Sequence, residues 1–123
     1  MNHPSFILLY VGSPAASAAF YADLLGSRPV EASSTFALFA LDRGMMLGLW
    51  ARGAVEPGVS AAAGSGELAF AVDSASLVDN RCAEWAARGI PIAQPPTRMD
   101  FGYTFVGLDP DGHRLRVFAP SQP

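Results

Sequence analysis

Side chains that commonly act in catalysis or metal binding are few in this sequence. It contains two histidines, one cysteine and eight basic residues, all of them arginines. The single cysteine, Cys82, excludes an intrachain disulfide and a CxxC metal motif, and is typical of a protein from a reducing cytoplasm. We expect Cys82 to be a small core residue. His113 follows a tight turn and is expected to be solvated or at a strand edge, and His3 lies near the chain terminus, so neither is expected to act as a ligand.

The composition excludes several classes of partner. A chain of 123 residues, half of them hydrophobic and 15% charged, has the size and apolar content of one domain, expected over residues 1–123. Its longest apolar runs, Phe6–Val11 and Phe36–Leu41, are too short to cross a membrane, and its first residues resemble no secretion signal. The net charge is −3 and the arginines are scattered. We therefore expect a cytoplasmic protein with neither a membrane nor a nucleic acid as its partner.

An internal repeat indicates which elements position the remaining candidate residues. The segment Thr35–Ala51 aligns with Tyr103–Ala119 at an offset of 68 residues, which places Trp50 on Phe118. Each copy consists of two apolar strands around a turn. The second turn, Asp109-Pro110-Asp111-Gly112, is a strong signal because Asp caps its own backbone, Pro fixes φ and Gly accepts a positive φ.

A strand and a helix precede each hairpin. The first strand, Phe6–Val11, corresponds to Glu67–Val72 at an offset of 61 residues, and the Gly-, Ala-, Ser- and Pro-rich segment 52–66 is expected to be a linker. Each half is then a strand, a helix, a short strand and a hairpin. The sequence predicts an α+β fold in which two βαβββ repeats, residues 5–51 and 67–119, form a curved, partly closed mixed sheet around a concave trough.

The two helices have recognisable ends and apolar stripes. Ser13 is the expected N-cap of the first helix, which ends at Gly26, and Ser74 or Ser76 caps the second, which ends at Gly89. The predicted buried stripes are Ala16, Phe20 and Leu24 in the first helix, and Val78, Cys82, Trp85 and Ala86 in the second.

The strands should present alternate residues to the trough, since successive strand side chains point to opposite faces. The residues expected on the concave face are Phe6, Leu8, Tyr10, Met46, Gly48, Trp50, Glu67, Ala69, Ala71, Arg114, Arg116 and Phe118. Pairing across the second turn is expected to add Tyr103 and Phe105. The trough is therefore predicted to be lined by aromatic side chains and to hold one inward acid and one or two arginines.

Two features of this trough leave alternatives open. Glu67 and Arg116 are predicted to face each other within ion-pair reach, where they either satisfy each other or orient a ligand by hydrogen bonds. Trp50 is predicted to be the main ligand contact, and the alternative is that it is buried core. A trough with so many aromatic side chains favours a bound guest.

The repeat and its motifs resemble a known superfamily. The segment Ser13-Pro14-Ala15-Ala16-Ser17-Ala18-Ala19-Phe20-Tyr21, the ending Leu24-Leu25-Gly26 and the turn Asp109-Pro110-Asp111-Gly112-His113 resemble the glyoxalase/bleomycin-resistance/dioxygenase (vicinal oxygen chelate) superfamily. The endings at Trp50 and Val117 look most like its phenazine-antibiotic-resistance binding proteins. The resemblance covers nearly the whole chain and implies a homodimer whose troughs are completed by both chains.

Metal-dependent members of this superfamily hold a divalent ion with one ligand in each of four strands. These positions fall on Phe6, at or beside Gly48, on Glu67 and on Arg116. Only Glu67 can bind a metal, and a guanidinium has no lone pair to offer and repels the ion. We therefore expect neither a metal nor another cofactor.

Two functions from different classes follow. The first is a homodimeric binding protein that sequesters a small planar aromatic compound such as an antibiotic. The second is an enzyme: a glyoxalase-like lyase or dioxygenase-type enzyme with displaced metal ligands, or a metal-free enzyme with Glu67 as its base. The predicted ligand-binding residues are Trp50, Glu67, Arg116, Tyr10, Phe6, Tyr103, Phe105, Phe118 and Met46.

Overall fold

The chain divides into two compact units, Met1–Ala61 and Ala62–Pro123. The structure, a computed structural model, describes residues 3–60, 62 and 66–121. Within these residues each unit contains one α-helix and one open, four-stranded mixed sheet, so the predicted α+β class with two βαβββ repeats is confirmed. No helix in these ranges is long and apolar enough to cross a membrane.

The sheet of the first unit has the first strand of the chain at one of its edges. Its elements are β1 (Phe6–Val11), α1 (Pro14–Leu25), β2 (Glu31–Ala32), β3 (Phe36–Ala40) and β4 (Met46–Ala51). The strand order is β1-β4-β3-β2, with β1 parallel to β4 and the other pairs antiparallel. The parallel pair requires a crossover connection, which begins with α1.

The second unit repeats this order with a longer second strand. Its elements are β5 (Glu67–Ala71), α2 (Ala75–Ala87), β6 (Ile92–Met99), β7 (Gly102–Leu108) and β8 (Arg114–Pro120), in the order β5-β8-β7-β6. The pairing of β6 with β7 shifts register twice, between Ile92 and Gln94 and between Gln94 and Thr97. Pro95 and Pro96 lie in the second interval and lack a backbone N–H, which confines such a strand to a sheet edge.

The predicted linker contains some local structure. Residues Arg52–Ala54 form one turn of 3-10 helix, and the Val55 side chain is buried. Residues 61 and 63–65 of the predicted linker lie outside the described part of the chain.

The predicted helix caps are present. The Ser13 hydroxyl accepts a hydrogen bond from the Ala16 N–H at 3.2 Å, and Gly26 ends α1 in the left-handed conformation with φ 69°. In α2 the cap is Ser74, the first of the two serines considered, whose hydroxyl accepts from the Leu77 N–H at 3.3 Å.

The buried face of α1 differs from the predicted stripe. The buried residues of α1 are Pro14, Ser17 and Tyr21. Ala16 is exposed, and Phe20 and Leu24 are only half-buried, so the predicted stripe is wrong by one position. The helix carries apolar residues of its own on nearly every side, so apolarity alone does not indicate which face is buried.

The buried face of α2 follows the prediction in part. Val78 and Trp85 are buried as predicted, whereas Cys82 is half-buried and Ala86 is exposed. Trp85 packs edge-on against Phe105 of β7 at a centroid distance of 5.0 Å. The indole also lies edge-on to Phe70 of β5 at 6.4 Å, so it contacts two strands of its sheet.

A bulge in the second hairpin sets which face its residues occupy. The Asp109 N–H donates to the His113 carbonyl and the Gly112 N–H donates to the Asp109 carbonyl, each at 3.0 Å. Gly112 has φ 85°, so Gly112 and His113 together oppose Asp109, as in a G1 bulge. The extra residue reverses the faces along β7. The predicted placement of Tyr103 and Phe105 on the open face is therefore wrong, and both point towards α2.

Candidate ligand-binding site

The open face of the first sheet carries the six positions predicted for it. In the parallel pairing of β1 with β4, Phe6 lies beside Met46, Leu8 beside Gly48 and Tyr10 beside Trp50. Leu47 and Leu49, at the alternate positions of β4, are buried on the opposite face. The alternation of strand side chains therefore places these residues correctly.

Phe36 joins this face from β3 and was not predicted as a site residue. It lies directly opposite Trp50 in the antiparallel pairing of β3 with β4. Directly opposed residues of an antiparallel pair point to the same face. The predicted face of Trp50 and the position of the first turn are therefore enough to predict that Phe36 lies on the open face.

Part of this face borders an open cavity of about 620 Å³ in the first unit, and the predicted ligand contacts Tyr10 and Met46 lie outside its lining. Its lining consists of Phe6, Leu8, Glu31, Ser33, Thr35, Phe36 and Trp50. Phe6 and Leu8 are 52% and 43% exposed, which is unusual for large apolar side chains. Exposed apolar side chains grouped in a cavity of this size are characteristic of a small-molecule site.

The indole of Trp50 is held by two neighbouring rings. Its centroid lies 6.3 Å from that of Phe36 and 6.4 Å from that of Tyr10, with interplanar angles of 89° and 78°. Edge-to-face contacts of this kind are favourable and restrict the orientation of the ring. Trp50 remains half-buried, so it is available to a guest molecule.

Gly48 allows the lining to close over the strand. A Cβ at this position would lie 2.5 Å from Leu8 Cδ2 and 3.0 Å from Phe36 Cζ. Both distances are too short for van der Waals contact, so a side chain here would displace the two neighbours. The glycine thus lets Leu8 and Phe36 approach the backbone of β4.

The second sheet carries a polar cluster on its corresponding face. The Arg116 Nε donates to Glu67 Oε1 at 2.6 Å and its Nη2 to Oε2 at 3.4 Å, which confirms the predicted ion pair. Arg116 Nη1 donates to Thr104 Oγ1 at 3.2 Å and to Gln94 Oε1 at 3.5 Å. Because these partners belong to β5, β7 and β6, the guanidinium of β8 connects all four strands.

The contacts of this cluster favour mutual satisfaction over ligand recognition. The buried Thr104 hydroxyl donates in turn to the Val117 carbonyl at 2.9 Å, and the Phe101 ring lies 5.5 Å from the guanidinium carbon. Phe118, predicted as a ligand contact, is half-buried on this face at 6.1 Å from Phe101. Glu67, Arg116 and Phe118 do not line the cavity of the first unit, and their contact with a ligand stays a prediction.

Tyr103 and Phe105 join β7 to α2. The Tyr103 hydroxyl donates to Asp79 Oδ1 at 2.7 Å, and this hydrogen bond raises the pKa of the tyrosine. Phe105 is fully buried against Trp85, so it has no surface to offer a ligand. Tyr103 also borders a smaller cavity, of about 200 Å³, beside the N-terminus of α2.

The expectation that His113 is solvated or at a strand edge is wrong. It is 9% exposed, and its Nδ1 lies 2.8 Å from Oδ2 of the buried Asp109 carboxylate. This hydrogen bond raises the pKa of the His113 imidazole. Burial, with a smaller effect of Asp79, raises the pKa of the Cys82 thiol, so the cysteine is a poor nucleophile.

The four positions that hold a metal in related enzymes do not fit a divalent ion in this chain. Phe6 and Gly48 offer no donor atom in the first unit. In the second unit, both carboxylate oxygens of Glu67 accept from Arg116, a cation that would repel the ion. Among the described residues, no three His, Cys, Asp or Glu side chains are grouped as metal ligands.

Comparison with known proteins gives a consistent family assignment. A family model described as the Glyoxalase/Bleomycin resistance protein/Dioxygenase superfamily matches residues 2–117. The chain is 29% identical over 118 residues to the phenazine antibiotic resistance protein EhpR of Enterobacter agglomerans. The alignment covers 93% of this chain and 89% of that protein.

Solved structures support the same fold. The solution NMR structure of a protein from Agrobacterium tumefaciens is 53% identical, with a TM-score of 0.90 over 99% of this chain and 100% of that one. A glyoxalase-related enzyme from Fulvimarina pelagi is 25% identical, with a TM-score of 0.82 over 97% of this chain and 88% of that one.

Proposed function

The chain belongs to the Glyoxalase/Bleomycin resistance protein/Dioxygenase superfamily, and on this premise we propose that it is a metal-independent binding protein for a planar aromatic compound. The observation that carries the proposal is the cavity of the first unit, in which Phe6, Leu8, Phe36 and Trp50 form apolar walls. Rings stack on planar guests, and a cavity of about 620 Å³ falls within the range of small-molecule sites.

The curated relative agrees with this class of ligand. The name of EhpR states resistance to phenazine antibiotics, and a phenazine is a flat tricyclic aromatic compound. We propose that this chain protects by holding such a compound, so that tight binding without turnover is sufficient for its function.

The contacts favour binding over catalysis. Glu67 is the residue considered as a base for a metal-free reaction, and both of its carboxylate oxygens accept hydrogen bonds from Arg116. The positions of the metal ligands do not fit an ion, as described above. Among the described residues, neither route to an enzyme therefore has a supporting contact.

We further propose that the two units act as one domain over residues 1–123, since the family model spans residues 2–117. A homodimer in the cytoplasm accompanies this proposal, supported by the family and by the single cysteine. Light scattering during size exclusion tests the dimer, which predicts twice the chain mass, and a monomeric mass at all concentrations contradicts it.

The experiment that tests the binding function is a fluorescence titration with acridine, a flat tricycle that is neutral at mildly alkaline pH. Trp50→Ala should weaken binding by about 1–3 kcal/mol, roughly 5- to 150-fold, because the stacking surface is lost. The matched control is Phe101→Ala, which removes an exposed aromatic ring outside the cavity and should leave affinity within about twofold. Undiminished affinity in Trp50→Ala, or an equal loss in both variants, would contradict the proposal.

A further inference from the structure

We propose that the cavity of the first unit selects planar aromatic cations over neutral or anionic compounds of the same shape. This inference rests on the proposed binding function and concerns the charge of the guest. Its origin is the single ionised side chain in the lining, the carboxylate of Glu31.

Glu31 lies on β2 at the border of the aromatic walls. The backbone of Glu31 pairs with that of Leu38 in β3, and the Glu31 side chain is exposed. Among the residues that the structure describes, no side chain forms an ion pair or hydrogen bond with this carboxylate. The negative charge is therefore available to a guest.

The Ser33 hydroxyl of the lining does not compete for this role. The Ser33 hydroxyl accepts from the N–H groups of Thr35 and Phe36 at 3.3 and 3.2 Å and donates to the Phe36 carbonyl at 3.3 Å. All of these hydrogen bonds of the Ser33 hydroxyl lie within its own turn. None of the lining residues is basic, so nothing in the cavity balances the charge of Glu31 or attracts an anionic guest.

The aromatic walls add to the same preference. The faces of Phe6, Phe36 and Trp50 carry the negative part of the ring quadrupole, which attracts a cation placed over them. Aromatic walls with a carboxylate at their border therefore favour a cation that can also stack on the rings. A delocalised cation on a flat ring system satisfies both the stacking walls and the carboxylate.

The corresponding face of the second unit shows the opposite arrangement. There the acid, Glu67, is already neutralised by Arg116 at 2.6 Å. Only the first unit therefore combines an open aromatic surface with an unpaired carboxylate, within the described residues.

The test compares three probes with the same ring system: the 10-methylacridinium cation, neutral acridine and the acridine-9-carboxylate anion, titrated at mildly alkaline pH. The wild-type chain should bind the cation about 5- to 10-fold more tightly than acridine, and the anion most weakly. Glu31→Gln should reduce the ratio of cation affinity to acridine affinity about fivefold. The control Glu56→Gln removes the same charge from an exposed residue of the same unit outside the lining, and should keep the wild-type ratio.

Salt and a small competitor sharpen the test. Raising the salt concentration about tenfold should lower the cation preference of the wild-type chain, because the carboxylate is exposed. Competition by tetramethylammonium at concentrations comparable to those of the dye would overturn the proposal, since the site would then select an aliphatic cation.

The outcomes separate this inference from the proposed function. Trp50-dependent binding of acridine with no preference for the cation, or an unchanged ratio in Glu31→Gln, refutes the charge selection and leaves the binding function standing. Failure of all three acridines to bind refutes both. A cation preference that disappears in Glu31→Gln and persists in Glu56→Gln supports the inference.

Discussion

The two sheets of this protein have the same strand order, yet their corresponding faces have opposite chemistry. Phe6 corresponds to Glu67 at the offset of 61 residues, and Gly48 corresponds to Arg116 at the offset of 68 residues. In the first unit an aromatic ring and a glycine leave an open cavity, whereas in the second an ion pair fills the same positions. A sheet fixes where side chains lie, and the residue types at those positions decide whether the face binds a guest or satisfies itself.

A second difference lies under the helices. Phe39 of β3 corresponds to Gly107 of β7, and Leu24 of α1 corresponds to Trp85 of α2. A Cβ at Gly107 would lie 2.8 Å from the Trp85 ring, so the glycine provides the space for the indole. At this pair of positions the first unit therefore carries its aromatic ring on the strand, and the second unit carries it on the helix.

The largest expected effect distinguishes the two tryptophans. Trp85→Ala should lower the free energy of unfolding by about 3–5 kcal/mol, because it removes a buried indole and leaves a cavity over Gly107. Trp50→Ala should cost less than about 2 kcal/mol, since Trp50 is half-buried on an open face. Denaturant unfolding measures both, and equal losses would assign Trp50 to the core.

An intermediate effect concerns the polar face of the second unit. A double-mutant cycle of Glu67→Gln and Arg116→Met should give a coupling free energy of about 1–2 kcal/mol. The Glu67 and Arg116 side chains are 33% and 15% exposed, so solvent screens their interaction and keeps the coupling below that of a fully buried pair. Phe6→Ala, at the matching position of the first unit, should change stability by less than about 1 kcal/mol. A coupling near zero would mean that the ion pair does not stabilise its sheet.

The smallest effect contrasts the two hairpin turns. Leu41 and Met45 occupy the positions of Asp109 and His113, and in both turns the first residue donates its N–H to the carbonyl of the last. The hydrogen bond to Asp109 raises the pKa of His113 above its ordinary value of 6.5. The resulting stabilisation is complete below pH 6.5 and is lost as pH rises through the folded-state pKa.

The measurement is the stability difference between the wild-type chain and His113→Asn as a function of pH. This difference should be largest in mildly acidic solution, at about 1 kcal/mol, and should shrink as the pH rises. A difference that is constant with pH, or that grows as the pH rises, is incompatible with a protonated His113 paired to Asp109.

Local rules explain the parts of the fold that the sequence predicts well. The bounds of the first strand, the Ser13 cap and the αL residue Gly26 all depend on neighbouring residues, and all are confirmed. The internal repeat adds long-range information, because it aligns the two hairpins and thereby places Trp50 and Phe118 at matching positions.

The predictions are wrong where an extra residue in a strand, or a hydrogen-bond partner that the pattern does not reveal, determines where a side chain points. The bulge at Gly112 adds a residue to one strand and turns Tyr103 and Phe105 towards α2. The burial of His113 depends on Asp109. The predicted cap is present, since Asp109 Oδ1 accepts from the N–H groups of Asp111 and His113, but the sequence gives no signal for the contact of Oδ2 with the His113 ring. Both effects are short in sequence range, but hydrophobic periodicity does not report either of them.

The candidate site shows the same division. Phe6 and Trp50 are predicted from alternation along strands, and Phe36 could have been predicted from its pairing with Trp50. Glu31 carried no such signal, because its place beside the cavity depends on the path of the chain from α1 through the two-residue strand β2. A connection of this kind has no periodic pattern.

The most direct test of the central claim uses the two tryptophans of the chain, one in each unit. In a ¹⁵N–¹H spectrum the two indole Nε1–H signals can be assigned with Trp50→Phe and Trp85→Phe. Titration with 10-methylacridinium should move the Trp50 signal saturably through the ring current of the stacked guest, while the Trp85 signal, from a buried indole, stays in place. Saturable binding that moves only the Trp85 signal, or neither signal, would contradict a ligand site on the open face of the first sheet.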